Sequence, residues 1–149
     1  MSTEGVREFG PFGGHGGSYW DADNGETRLR RIEGWGRSWE GHNVLNGIRF
    51  TWEDGKESNI IGHENYNWPS MIELNPGENI RDLTVWAGYQ EGFVNGITVD
   101  SDQHPYPQTI GVQEGGRFPV PPGDWVGAEG GYPDHGAAEV VDSIKLKLK

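Results

Sequence analysis

Three stretches of this chain each hold one strong hydrogen-bonding side chain in the same local setting. They read Val44-Leu45-Asn46-Gly47-Ile48-Arg49-Phe50, Phe93-Val94-Asn95-Gly96-Ile97-Thr98-Val99 and Val140-Val141-Asp142-Ser143-Ile144-Lys145-Leu146. Ionised Asp142 accepts through two oxygens with the help of its charge, whereas Asn46 and Asn95 each offer one acceptor oxygen and an NH2 donor. A glycine loop follows two of these positions at the same distance: Gly62 lies 16 residues after Asn46, and Gly111 lies 16 after Asn95. No such loop follows Asp142, because the chain stops. Its counterpart is Gly13-Gly14-His15-Gly16-Gly17, since Gly13, Gly62 and Gly111 stand 49 residues apart. Glycine reaches φ > 0 without penalty and lets another molecule approach the backbone closely. Each unit therefore contains both an acceptor side chain and a glycine loop with backbone N–H donors.

Other chemistries are poorly supplied. The chain has no cysteine, which removes disulfides and thiolate metal sites. His15, His63, His104 and His135 lie in loops without a spacing such as His-x-x-x-His, so neither metal nor cofactor is expected. A formal charge of −11 argues against nucleic acid, which needs clustered Lys and Arg. No run of 18 apolar residues exists, and Met-Ser-Thr-Glu-Gly-Val-Arg-Glu lacks an apolar secretory core. The expectation is a protein that does not insert in membranes and is cytoplasmic, or exported by an unconventional route.

The elements that must position these residues follow from the repeat. A period near 50 signals a repeat architecture. Gly (25) and Pro (9) are abundant enough to raise disorder, but seven Trp, five Tyr and five Phe argue for a packed core. No window sustains a period of 3.6, so helices should be few. Ile48 to Trp52 and Ile144 to Lys149 alternate with period two, the latter apolar on one face and lysine on the other. Asn24-Gly25 is a strong hairpin signal, with Thr27 to Trp35 as the next strand. Asp54-Gly55 should turn the chain back as a strand from Lys56 to Ile61. Ser70 to Leu74, a Pro76-Gly77 turn and Ile80 to Ala87 follow, then Phe118 to Val120, a Pro122-Gly123 turn and Asp124 to Val126. The reading is one domain, 1–149, of three units of about four strands with pseudo-threefold symmetry. The third unit closes across the termini, with the first and last strands paired.

The run Gly10-Pro11-Phe12-Gly13-Gly14-His15-Gly16-Gly17, the ending Val141-Asp142-Ser143-Ile144 and the spacing between them resemble the jacalin-related lectins, over nearly the whole chain. The resemblance implies an all-β fold, a β-prism of three four-stranded antiparallel sheets. It implies metal-independent carbohydrate binding with no catalytic residue. In the family the main site joins the N-terminal glycine loop to a late Gly-x-x-x-Asp loop. Carried over, this gives Gly16 and Gly17, then Ala138 in place of the family glycine, Glu139 and Val140 through their backbone amides, and Asp142. The approach Gly130-Gly131-Tyr132-Pro133-Asp134-His135-Gly136 is longer than is typical. Because the glycine loop is internal rather than a free N-terminus, the resemblance favours the mannose/glucose branch.

That chemistry suits a sugar. Adjacent hydroxyls need both acceptors and donors, and Tyr19, Tyr66, Tyr132 or a tryptophan can cover the C–H face. Secondary sites are expected around Asn43, Asn46, Asn65, Asn95, Gly115 and Gly116. A shallow monosaccharide site gives roughly millimolar to high micromolar affinity, so useful strength needs several sites, as in a homo-oligomeric dimer or tetramer. The partners are glycans or glycoproteins. The bland alternative is that Asp142 and the asparagines only cap turns. A targeting or assembly module is the rival function. A glycosidase needs two carboxyl groups roughly 5–10 Å apart, and two of the three repeat positions are amides.

Overall fold

The computed structural model of the chain describes residues 5–14, 18–39, 41–62, 68–88, 93–132 and 141–149. Twelve β-strands make up its regular structure, and there is no helix among the described residues. In chain order β1 is Arg7–Gly13, β2 Ser18–Asp23, β3 Leu29–Trp39 and β4 His42–Trp52. Next come β5 at Ile61–Gly62, β6 at Ser70–Glu73, β7 at Ile80–Ala87 and β8 at Val94–Ser101. The last four are β9 at Gln108–Gly111, β10 at Gly116–Val120, β11 at Trp125–Tyr132 and β12 at Ser143–Leu148.

The strands form three four-stranded sheets, ordered β1-β12-β11-β2, β5-β4-β3-β6 and β10-β7-β8-β9. All named pairs are antiparallel. Two sheets follow one path: three consecutive strands pair in turn, and the fourth returns beside the first, which is a Greek key. The remaining sheet takes the same path as β11, β12, β1 and β2, so its key is completed across the chain ends. Arg7 opposes Leu148 and Gly13 opposes Ser143 in that closure. The expected pairing of first and last strands is present.

Two local expectations differ. Asn24-Gly25 is not a hairpin turn, because β2 pairs with β11 while β3 pairs with β4 and β6. The turn passes the chain from one sheet to the next, as the Pro76-Gly77 and Pro122-Gly123 turns do. Asn24 Nδ2 ties it to Asp54 Oδ2 at 2.8 Å. The positive φ that Gly25 supplies serves a hairpin or a sheet-to-sheet crossing alike, so the dipeptide cannot tell them apart. The strand expected over Lys56 to Ile61 is reduced to β5, with one isolated bridge between Thr51 and Glu57. Ser58 holds this segment instead: its N–H donates to Phe50 O at 2.8 Å and its Oγ accepts from Phe50 N–H at 3.0 Å.

Alternation decides what is buried. Ile144, Leu146 and Leu148 are fully buried, while Lys145 and Lys147 stay on the outer face. There they reach Glu129 of β11, at 3.8 and 3.2 Å. Burial works against the charge of Lys147, but its hydrogen bond and attraction to Glu129 outweigh this and hold its pKa above the ordinary value. Between two of the sheets, Phe50 packs against Trp20, Trp52 and Trp125, with ring centres 6.3 to 6.5 Å apart. The Trp52 indole donates to Val126 O at 2.9 Å and the Trp125 indole to Gly127 O at 3.0 Å. Where the three repeats converge, Val141 N–H donates to Leu45 O (2.8 Å) and Val94 N–H to Val141 O (3.0 Å).

Gly13, Gly62 and Gly111 each have positive φ, at 102°, 90° and 72°. A Cβ on any of them would collide with the backbone carbonyl oxygen of Asp142, Asn46 or Asn95 respectively. Gly111→Ala should therefore cost more than the roughly 1–2 kcal/mol of left-handed strain, because a backbone oxygen must also move. Gly77→Ala, with φ of 78° but open space around it, should cost only the strain. Urea unfolding of the two variants checks the difference.

A buried carboxylate clamps the turn from β6 to β7. Glu78 is fully buried and accepts from Asn75 N–H at 2.7 Å, from the Ser101 hydroxyl and from His104 Nδ1 at 2.5 Å. Burial pushes its pKa up, but the bonds from Ser101, the Asn75 amide and His104 prevail and hold it below the ordinary glutamate value. A lowered folded pKa stabilises above the unfolded value of about 4.3, and this stability is lost as pH falls through the folded value. Glu78→Gln should cost about 1–3 kcal/mol at pH 7. The gap to wild type should close toward pH 3 in denaturant melts.

Candidate functional site

The three repeat positions are equivalent in backbone but not in surroundings. In the unit closed across the termini, Asp142 lies directly before β12 and is 5% exposed. Its N–H donates to Gly131 O at 3.1 Å, and its C=O accepts from Gly14 N–H at 2.7 Å. The sheet continues on both sides, Ser143 opposing Gly13 on β1 and Gly131 on β11. Its carboxylate lies over Gly14: a Cβ there would be 2.8 and 2.9 Å from the two oxygens. The glycine loop and the repeat carboxylate therefore do meet. Gly16 and Gly17 lie outside the described residues, as do Ala138, Glu139 and Val140.

In the second unit Asn46 is buried in β4, with Gly47 opposing Gly62. Tyr132, considered from sequence as a cover for a sugar face, occupies this place. Its ring lies where a Gly62 side chain would be, and its hydroxyl donates to Asn46 O at 3.2 Å. Asn65 falls outside the described residues.

In the third unit Asn95 is buried in β8, with Gly96 opposing Gly111. Val112 N–H donates to Asn95 O at 3.0 Å, matching the bond from Gly14 to Asp142. Val112 stands where the first unit has Gly14, and the Asn95 side chain turns elsewhere. Its Nδ2 donates to Asn43 O at 2.7 Å, and Oδ1 lies over Gly115. Asn43 in turn donates through Nδ2 to Glu114 Oε2 at 2.7 Å. Asn43 thus belongs with Asn95 and Gly115, not with Asn46. Gly116 opens β10, opposite Ala87. Sequence reading missed the Glu114 and Tyr132 contacts, because their partners are 71 and 86 residues away and no local pattern encodes them.

Among the described residues, no group of three or more His, Asp or Glu side chains could hold a metal ion, and no helix is long and apolar enough to cross a membrane. The first unit sets a buried carboxylate against Gly14, and a carboxylate can accept hydrogen bonds from hydroxyl groups.

Three Greek keys closed into a triangular barrel define a β-prism. Residues 9–144 match the jacalin-like lectin domain family, and the chain belongs to it: it is a carbohydrate-binding lectin. Among solved structures, it is similar to AcmJRL of Ananas comosus, described as a mannose-binding jacalin-related lectin. The identity is 26%, covering 97% of this chain and 98% of the other, with a TM-score of 0.70. The mannose-binding lectin of Champedak is 21% identical over 99% of both chains, TM-score 0.72. A lamprey immune protein shares the fold at 18% identity and TM-score 0.75, over 99% of this chain and 45% of that one. No curated protein sequence matches the chain.

If Gly14 is glycine to make room for the carboxylate, Gly14→Ala should displace Asp142 while leaving the sheet intact, since Gly14 does not have positive φ. Amide NMR shifts should change around Asp142 and Gly131, and β1–β12 cross-strand contacts should persist.

Proposed function

We propose that this lectin binds mannose- or glucose-type residues of glycans, without metal and without cleaving them, mainly where Asp142 meets the first glycine loop. The observation that carries the reading is the Asp142 carboxylate lying over Gly14, an arrangement the second and third units do not repeat. A carboxylate can accept from two neighbouring sugar hydroxyls at once, and glycine-loop amides can donate to a third. The mannose-binding descriptions of the Ananas comosus and Champedak proteins support the choice of sugar. Bond cleavage would need a second carboxyl group across the scissile bond, and the repeat supplies only amides as counterparts. Assembly into a dimer or tetramer belongs to the same proposal, since single shallow sites are weak and paired ones gain avidity.

The three units should bind unequally. Replacing a charged two-oxygen acceptor by an amide weakens a site by about 1–2 kcal/mol, roughly tenfold. Calorimetric titration with methyl α-mannoside should show Asp142→Ala losing most binding. Asn46→Ala and Asn95→Ala should change it little once each is shown to be folded. Wild-type affinity in Asp142→Ala, or a larger loss in Asn95→Ala, would overturn the assignment.

A further inference from the structure

A second concavity among the described residues lies away from Asp142. It is a cleft of about 650 Å³ between two sheets. One wall is the whole of β2, the outermost strand of its sheet, and the other is residues 57–62, which end in β5, outermost in its own. Trp52 and Tyr132 complete the lining. Six residues of extended chain run about 20 Å, the length of several linked sugar rings.

Its chemistry is that of a glycan groove. Tyr19 is 68% exposed at the rim and offers an aromatic face. Asn59 brings a side-chain amide, while the Ser58 hydroxyl is engaged by Phe50 N–H and Asn59 O. Asp21 and Glu57 bring carboxylate acceptors, while Asp23 is drawn toward Lys147 at 3.6 Å. Trp20 also lines the cleft, is only 9% exposed, and its indole N–H has no acceptor. Its neighbours Trp52 and Trp125 both donate to backbone carbonyls. A buried donor left unpaired is unfavourable, and the Trp20 ring at the cleft wall makes this N–H a reporter of what packs there.

The cleft also begins beside the proposed sugar site. Ser18 opposes Tyr132 across the sheet, and the next residue along β11, Gly131, accepts the Asp142 N–H. Two strand spacings, about 10 Å, separate β12 from β2. We propose that the cleft is an extension subsite, in which a neutral oligosaccharide held at Asp142 continues past Ser18 and lies along β2. The proposal rests on Asp142 being the main sugar site. The carboxylates of Asp21, Asp23 and Glu57 select against sialylated or sulfated chains.

Calorimetry with methyl α-mannoside, α-linked mannotriose and mannopentaose tests this on wild type, Glu57→Ala and Asn59→Ala. In wild type, affinity should rise at least fivefold from monosaccharide to pentasaccharide. Both variants should lose most of that gain and keep the monosaccharide affinity, because neither residue touches Asp142. In 15N NMR the Trp20 indole resonance, assigned with Trp20→Phe, should shift with the pentasaccharide but not with the monosaccharide. No gain with chain length, or a gain that survives both substitutions with the Trp20 signal unmoved, overturns the extension subsite alone. A monosaccharide that fails to bind wild type at all overturns the Asp142 reading and the extension with it.

Discussion

The constraint on which this prism depends is a steric one between a glycine and a carbonyl. At 13, 62 and 111 the chain must pass within contact of the backbone oxygen of residue 142, 46 or 95, with φ positive each time. A side chain would meet that oxygen before the strands could pair. The same close approach brings the edge strand β1, β5 or β9 against its hairpin and fixes its register, Gly13 on Ser143, Gly62 on Gly47 and Gly111 on Gly96. Because each contact couples the end of one strand to the start of a loop, the fold and the candidate site share one cause.

Identical backbones then leave room for divergence in side chains. Only the first unit follows its constrained glycine with a second one, so only there can an acidic side chain lie across the loop. In the third unit Val112 fills that space, and the Asn95 amide is spent on Asn43. In the second, the space over Gly62 is taken by the Tyr132 ring. An amide tied to backbone and a carbonyl already accepting from a phenol are structural cross-links between units. They hold the three sheets together at the end where the first unit carries its carboxylate.

This division also separates what could be read from sequence from what could not. The repeat and the closure across the termini follow from spacing, because backbone constraints recur at fixed intervals, while the Asp142–glycine loop juxtaposition came from the family resemblance. Ile144-Lys145-Leu146-Lys147-Leu148 announced its own faces through period two. Asn24-Gly25 misled, since a turn residue reports its φ and not the strand waiting on the far side. Tyr132 over Gly62 and Asn43 with Glu114 were invisible, as contacts across 70 or more positions depend on how the sheets lean together. The Glu78 clamp, spread over residues 75 to 104, was likewise hidden among ordinary loop residues.

The position of the carboxylate at the seam has a physical consequence of its own. Gly14 and Asp142 come from opposite ends of the chain and are brought together only when β1 pairs with β12. The other two Greek keys close through consecutive strands, at lower loop-closure cost. The first sheet must recruit the N-terminal strands to a hairpin formed by the last ones, so its closure requires the longest loop. That pairing is also irregular, with a register shift between Phe9 and Phe12. A ligand bridging the glycine loop and Asp142 would bind only the closed form and would stabilise it by mass action. Occupancy of such a site and completion of the prism would therefore be linked, a coupling that the second and third units, closed within continuous chain, do not share.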